Sequence, residues 1–492
     1  MARLLAAALT LALAAPAGVL AQAPPGAPGS VPPTSGVVRK GKAPVSDETL
    51  RVRLPRPAEA DLANGLHLMV LEDRRVPQVT FTLIVPGAGG YADPATRPGL
   101  AAVAAAMMRE GTSSRTSAQI SEQLETMAAA LNVGASVSGP DGFIGGSALS
   151  EHFERLFDLA ADVLLHPSFP DDELARYKQR TRAQLLQQRS QPGFLASERY
   201  ARAMYGDHPA GRVSLTPESL DQVTRADLVA LHKARYVPDH AVLAIAGDLS
   251  LAEARTLIEA KLGAWAKAGT PAPQVTDPPP GTTAGISFVA RPNSVQTSFI
   301  VGTPAIRRTD PDWDVVSVMN RVIGGGPTAR LFLNLREEKG YTYGAYSNLV
   351  AGRYRGDWRA QTDVRAEVTE PALRDLLAEV ARLRDEPVPD QEFREVKRSM
   401  VAAFALSLES PDQVLNSYVT SWQYKLPADY WDRYPERIMA VTQAQVRAAA
   451  QKYLAADHLQ IVAVANPGSA DVLRKYGRVT TYDTEGRRAA TP

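Results

Sequence analysis

The sequence predicts an α+β fold of two similar domains in tandem, each a mostly antiparallel sheet with helices packed on it. Three observations carry that expectation. The chain has 492 residues, enough for two or three domains. A stretch with Pro271, Pro273, Pro278, Pro279 and Pro280 divides it into two halves of comparable size. The order strand, strand, helix, then further strands and helices recurs on both sides, a repeat visible in order rather than in letters.

Composition narrows the class. The formal net charge is +1, so bulk electrostatics point to no nucleic-acid partner and no anionic surface. Cysteine is absent, which excludes disulfides, thiol catalysis and cysteine-based zinc sites. Residues 1–23 read as a signal peptide: Arg3, an apolar run from Leu4 to Ala15, then the small-x-small sites Val19-Leu20-Ala21 and Ala21-Gln22-Ala23. The run is short for a membrane span, and Pro16 and Gly18 interrupt its end. The expectation is export to the periplasm or beyond, with no membrane association after cleavage. Residues 24–47 form a proline-rich leader.

The first domain is expected over 48–268. It opens with a hairpin-like run at 64–73, an apolar strand at 79–85 and a glycine-rich turn at 87–90. Residues 99–112 read G-L-A-A-V-A-A-A-M-M-R-E-G-T. Gly99 opens a helix, Gly111 closes it, and the alanines between favour helix at no side-chain entropy cost. Read alone, this is a core helix packed closely on a neighbour. A helix at 114–130 follows, with Thr116 or Ser117 as N-cap. Then come paired strands within 131–149, an amphipathic helix at 151–165 and a charged helix at 171–191. A loop at 205–212, a helix at 224–235, a buried strand at 241–247 and a helix at 251–265 complete the domain. After the linker, 269–285, the second domain spans 286–467. Its strands fall at 287–290 and 296–302, its first helix at 313–323, and its strand 459–465 mirrors 241–246. Residues 468–492 read as a tail.

Few residues offer chemistry of their own. No two of the seven histidines stand four apart, and no H-E-x-x-H occurs. His208, in a Gly-Asp-His-Pro loop, reads as structural. Ser136 and Ser147 each lack the last glycine of a nucleophile elbow. Gly324-Gly325-Gly326 lacks the Lys-Ser/Thr of a phosphate loop and reads as a turn before a helix.

The order from 64 to 112, with Glu110-Gly111-Thr112 at its end, resembles the first domain of the insulinase/pitrilysin family of zinc metallopeptidases, the inverzincins. The mitochondrial processing peptidase belongs to that family. There the helix carries H-x-x-E-H, two zinc ligands one turn apart with a general base between them. Lined up on Gly99-Leu100-Ala101, those slots fall on Ala102, Ala105 and Ala106, and the third-ligand slot falls at about Gln184. The resemblance therefore implies half of a clamshell that binds no metal or other cofactor itself. The segment from Gly324 to Gly344 (G-G-G-P-T-A-R-L-F-L-N-L-R-E-E-K-G-Y-T-Y-G) resembles the family stretch that supplies an Arg and a Tyr seven apart, here Arg336 and Tyr343. In the family the pair reaches across toward the zinc site and holds the substrate's backbone carbonyl. Taken as residues alone, Arg336 pairing with Glu337, Glu338 or Asp363 and Tyr343 simply packing explains them equally well. The resemblance implies a non-zinc subunit of a heterodimer, with zinc on a paralogous partner and a peptide or unfolded polypeptide as substrate. An extended peptide is then expected to add to a sheet edge near the active site. The alternative is an inert scaffold or a peptide-binding protein of the same fold.

Overall fold

The computed structural model describes residues 50–267, 275–278 and 283–489. The signal-peptide and leader segments, 1–23 and 24–47, lie outside the described residues, as does most of the linker. Two six-stranded sheets carry the chain. The first contains β1 (Ala58–Asp61), β2 (His67–Glu72), β3 (Gln78–Pro86), β4 (Ala130–Ala135), β5 (Asp141–Leu149) and β6 (Val242–Gly247), in the order β1-β2-β6-β3-β5-β4. The second contains β7 (Gly285–Ala290), β8 (Gln296–Pro304), β9 (Thr342–Val350), β10 (Asp357–Arg365), β11 (Gln460–Ala465) and β12 (Val479–Tyr482), in the order β12-β7-β11-β8-β10-β9. Strands β2, β6, β3, β5 and β4 correspond in order to β7, β11, β8, β10 and β9, so five strands of each sheet repeat, while the edge strands differ, β1 being antiparallel to β2 and β12 parallel to β7. Only β2–β6, β7–β11 and β7–β12 pair in parallel. The expected tandem α+β architecture is therefore present, as two mixed, mostly antiparallel sheets.

The central strands are apolar throughout because both of their faces are covered. Along β6, Leu243 and Ile245 enter the core beneath the first domain's own helices. Val242, Ala244 and Ala246 point the other way, onto Val414, Leu415, Tyr418 and Val419. These four belong to the helix Pro411–Tyr424, which the second half contributes. The converse holds for β11. Ile461 and Ala463 face the second domain's helices, while Val462 and Val464 meet Leu195, Ala196, Tyr200 and Met204. Those come from the helix Pro192–Tyr205 of the first half. Each half thus lends the other a helix, and each fully buried side chain adds roughly 1.5–3 kcal/mol of apolar burial.

Several sequence expectations are corrected. The described part of the expected tail 468–492, residues 468–489, is structured: Ala470–Arg474 is helical, and β12 extends the second sheet parallel to β7. Val479 and Tyr482 pack there because β7 has an open edge to fill. The helix expected at 114–130 is Ser117–Thr126, started by a Thr116–Gln119 capping box. It ends early because Ala130 already belongs to β4. The described part of the linker is tied to both halves. Thr276 O accepts from His208 Nε2 at 3.0 Å, and Asp277 Oδ1 accepts from Arg355 N at 3.1 Å while pairing with Arg307. Among the described residues no helix is long and apolar enough to cross a membrane.

Where the borrowed helix Pro192–Tyr205 crosses the second sheet, polar groups lock it. The fully buried Tyr200 hydroxyl donates to Asp357 Oδ2 at 2.9 Å, and Tyr205 donates to Oδ1 at 2.5 Å. Gly302 makes room for this approach, since a Cβ there would stand 2.2 Å from the Tyr200 hydroxyl oxygen. A second lock sits before the alanine-rich helix Leu100–Met108. The Asp93 carboxylate accepts from Gly99 N at 2.9 Å and Ala101 N at 3.1 Å, amides that would otherwise be orphans at the helix start. Burial pushes the Asp93 carboxyl up to about 6, against the pull of these amides and of Arg235 and Arg212.

Two outcomes follow. Tyr200→Phe removes one donor from a buried carboxylate and should cost about 1–3 kcal/mol in denaturant unfolding. A loss below about 0.5 kcal/mol would show that Tyr205 and Arg359, whose Nε lies 3.4 Å from Asp357 Oδ2, suffice to hold the carboxylate. For Asp93 the folded state holds the proton more tightly than the unfolded one. Its ionisation therefore erodes stability as pH rises from the ordinary carboxylate range near 4 through about 6. Unfolding of the native chain and of Asp93→Asn should thus show a gap that shifts in favour of the variant over that interval. A pH-independent gap would contradict the assignment.

Candidate functional site

The helix Leu100–Met108 begins at Gly99, whose φ of 88° is left-handed and suits glycine. Its residues Ala101, Val103, Ala104, Ala105, Met107 and Met108 are fully buried. Ala102 and Ala106 share the other face, one turn apart, and are only half-buried. Gln184 is exposed on the helix Asp171–Arg189, beside the buried Leu185. Glu110, just past the end of the first helix, lies 3.4 Å through Oε1 from Nη2 of Arg180 in the middle of the second. The backbone thus presents the family's metal helix, but three methyl groups and an exposed amide do not make a zinc site. No group of three or more His, Cys, Asp or Glu side chains able to hold a metal occurs among the described residues. The residues present do not fit zinc, and no step on this chain is routed through it.

Arg336 and Tyr343 are brought together by an unusual turn. The glycine-rich segment leads into a helical turn, Arg330–Phe332, which widens into a π-helical turn, Leu333–Glu338. Buried Arg330 anchors it through a two-pronged ion pair to Glu392, at 2.7 and 3.0 Å. Asn334 Nδ2 donates to Glu379 Oε1 at 2.7 Å, and Leu331 and Leu335 enter the second core. Gly340, at φ 61°, ends the turn and releases the chain into β9. The Arg336 guanidinium carbon then lies 4.7 Å from the ring centre of Phe332 and 5.3 Å from that of Tyr343. Tyr343 is 91% exposed.

The pair lines a cavity of about 820 Å³ on the face of the second sheet that the borrowed helix leaves open. Ser197 of that helix forms one wall, and Gln361, Asp363 and Arg365 of β10 form the floor. Asp363 accepts from Ser298, and Arg365 is held by Glu367 at 2.7 Å and by Gly340 O at 2.8 Å. Arg336 keeps a looser contact, 3.4 Å to Glu337 Oε1. It is a cation with donors to spare, next to an exposed phenol. No residue of the helix Leu100–Met108 lines this cavity. The structure therefore unites Arg336 with Tyr343 and keeps Ala102, Ala105 and Ala106 elsewhere.

The strand beside this site is a poor place for an added peptide strand. Ser347 N already donates to Gly324 O at 2.8 Å, and Ala345 is 1% exposed. The glycine-rich turn thus occupies the outer edge of β9 at Ser347. Sequence reading missed Arg330, Asn334, Glu379 and Glu392. Only the pattern of polar residues inside an apolar helix-like run, Arg330 and Asn334 beside Leu331 and Leu335, hinted at them.

Comparison with known proteins bears on this geometry. Residues 68–218 match the insulinase family, peptidase family M16, and residues 222–400 match the peptidase M16 inactive domain. An uncharacterized zinc protease of Mycobacterium leprae is 27% identical over 272 residues, 54% of this chain and 59% of that protein. One from Streptomyces coelicolor is 24% identical over 309 residues, 60% of this chain and 66% of its own length. The match thus spans less than two thirds of either relative. One from Bacillus subtilis is 23% identical over 355 residues, 72% of this chain and 85% of that protein. Among solved structures, a peptidase M16 inactive domain from Pseudomonas fluorescens superposes with TM-score 0.77 at 29% identity, covering 83% of this chain and 98% of that one. A protease from Helicobacter pylori reaches TM-score 0.77 at 14% identity, covering 84% of this chain and 100% of that one, a likeness of fold. The two matched models cover both halves, and the zinc slots hold alanine, so the chain belongs to the insulinase family of peptidases, as a member without the zinc site.

Proposed function

We propose that this chain is the non-zinc subunit of a periplasmic heterodimeric peptidase and positions peptide substrates for hydrolysis at a partner's zinc site. One observation carries the reading. The metal-binding side chains are gone, while Arg336 and Tyr343 remain together at an open cavity of about 820 Å³, presented by an anchored π turn. Arg336 supplies a permanent charge and a planar set of donors, and Tyr343 a directional hydroxyl. Both suit a peptide carbonyl on which negative charge develops. A paralogous partner supplies the metal and the general base, and the two chains close on a short or unfolded peptide. The signal-like stretch at 1–23 supports a periplasmic location for the two chains.

The test is gentle purification of the tagged chain from its own periplasm. The eluate is assayed for a co-eluting family member and for chelator-sensitive cleavage of a quenched peptide. Arg336→Ala should lower kcat/KM by roughly 10²-fold, with partner and zinc both retained. Unchanged cleavage in that variant, or a chain that elutes alone and inert, would instead support a scaffold or a simple peptide-binding protein.

A further inference from the structure

A second cavity, of about 970 Å³, opens where the two halves meet and shares no lining residue with the Arg336 cavity. Its walls come from the start of the first sheet, from the end of the borrowed helix Pro411–Tyr424 and from the β9–β10 loop. The charges around it are unbalanced. Arg56 is already committed, to Asp432 and to Ala428 O at 2.5 Å. Glu59, the acid in the lining, lies 3.4 Å from His67 Nε2. Arg353 and Lys425 also line the cavity, and neither makes an ion pair within 4.0 Å among the described residues. Arg353 feels the field of the buried Asp141 without contacting it. Beside these two cations lies an apolar surface. Leu426 contributes to it, with Trp422, whose indole stacks on His67 at 5.6 Å between ring centres. Gln423 adds an amide.

We propose that this cavity binds the C-terminal end of a peptide. Arg353 and Lys425 take the free carboxylate, and the last, apolar side chain lies against Trp422 and Leu426. The volume is that of a site for an organic ligand, and a lone inorganic anion would leave the apolar wall wet. A peptide end joins a carboxylate, amide groups and an apolar side chain within a few ångströms, the same three chemistries that this wall offers. The site is independent of the Arg336 cavity, and it would let the chain hold a peptide by its end as well as by its backbone.

The experiment is fluorescence anisotropy on the purified chain with two hexapeptides. Both carry an N-terminal dye and end in Leu-Phe, one as the free acid and one as the amide. The acid should bind about tenfold tighter or more. Arg353→Gln with Lys425→Gln should erase that preference, and Arg336→Ala should leave it intact. Both substituted residues are exposed, and a thermal melt of the double variant verifies folding. Equal binding of acid and amide, or no binding of either at millimolar peptide, overturns the proposal. A preference lost in Arg336→Ala but kept in the double variant also overturns it, while leaving the role proposed for Arg336 standing.

Discussion

Everything in this fold rests on the reciprocal loan of two helices. A sheet buried on one face only would alternate apolar and polar residues; β6 and β11 do not, because each has a second face to fill. The filling helix comes from the other half each time. Neither sheet is complete without the other half, and the two behave as one cooperative body rather than as beads on a linker. The Tyr200–Asp357 bond and the Gly302 gap fix how one of these helices lies. The Arg336 cavity is the part of that same sheet face which the helix does not reach. The site's position is thus a by-product of packing.

The same logic explains why a chain can lose its metal and keep its shape. The helix Leu100–Met108 is held by its N-terminal amides on Asp93 and by a fully buried face. Ala102 and Ala106 lie on the half-buried face, where alanine costs nothing in helix propensity. Removing ligands there leaves the core untouched. Removing Asp93 or its amide contacts would not. The fold constrains the buried side of this helix and leaves its chemical side free to change.

Much of this was legible in the sequence, and the gaps have physical causes. Strands β3, β6, β8 and β11 announce themselves as apolar runs, and Trp313–Ile323 as a helix of clear periodicity. The helix Pro192–Tyr205 was missed, although Ala196, Tyr200 and Met204 stand one turn apart behind a proline at its first position. The pattern was there; its target, a sheet from the other half, was not. The strand β12 was read as tail because Val-Thr-Thr-Tyr is short and polar, and only the open edge of β7 gives it a partner. For the candidate site, the resemblance singled out Arg336 and Tyr343 but not the Arg330–Glu392 pair, whose members lie 62 residues apart and meet only through folding.

What Arg336 is doing in the resting chain can be judged by magnitudes. Its contacts with Phe332 and Tyr343 are worth about 0.5–1 kcal/mol each at a partly exposed site. Its contact with Glu337, at 3.4 Å between exposed side chains, adds roughly 0–1 kcal/mol. A good hydrogen bond from a charged donor to a peptide carbonyl is worth about 1.5–3 kcal/mol. The resting contacts therefore orient the guanidinium without consuming it, and in the role proposed for Arg336 a peptide carbonyl would outcompete Glu337. A residue kept only to brace the turn would look different. Arg330 shows how: buried, and held by a two-pronged pair to Glu392. Within six residues the chain holds one arginine fixed and one arginine available, and the fixed one sets the turn from which the other reaches out.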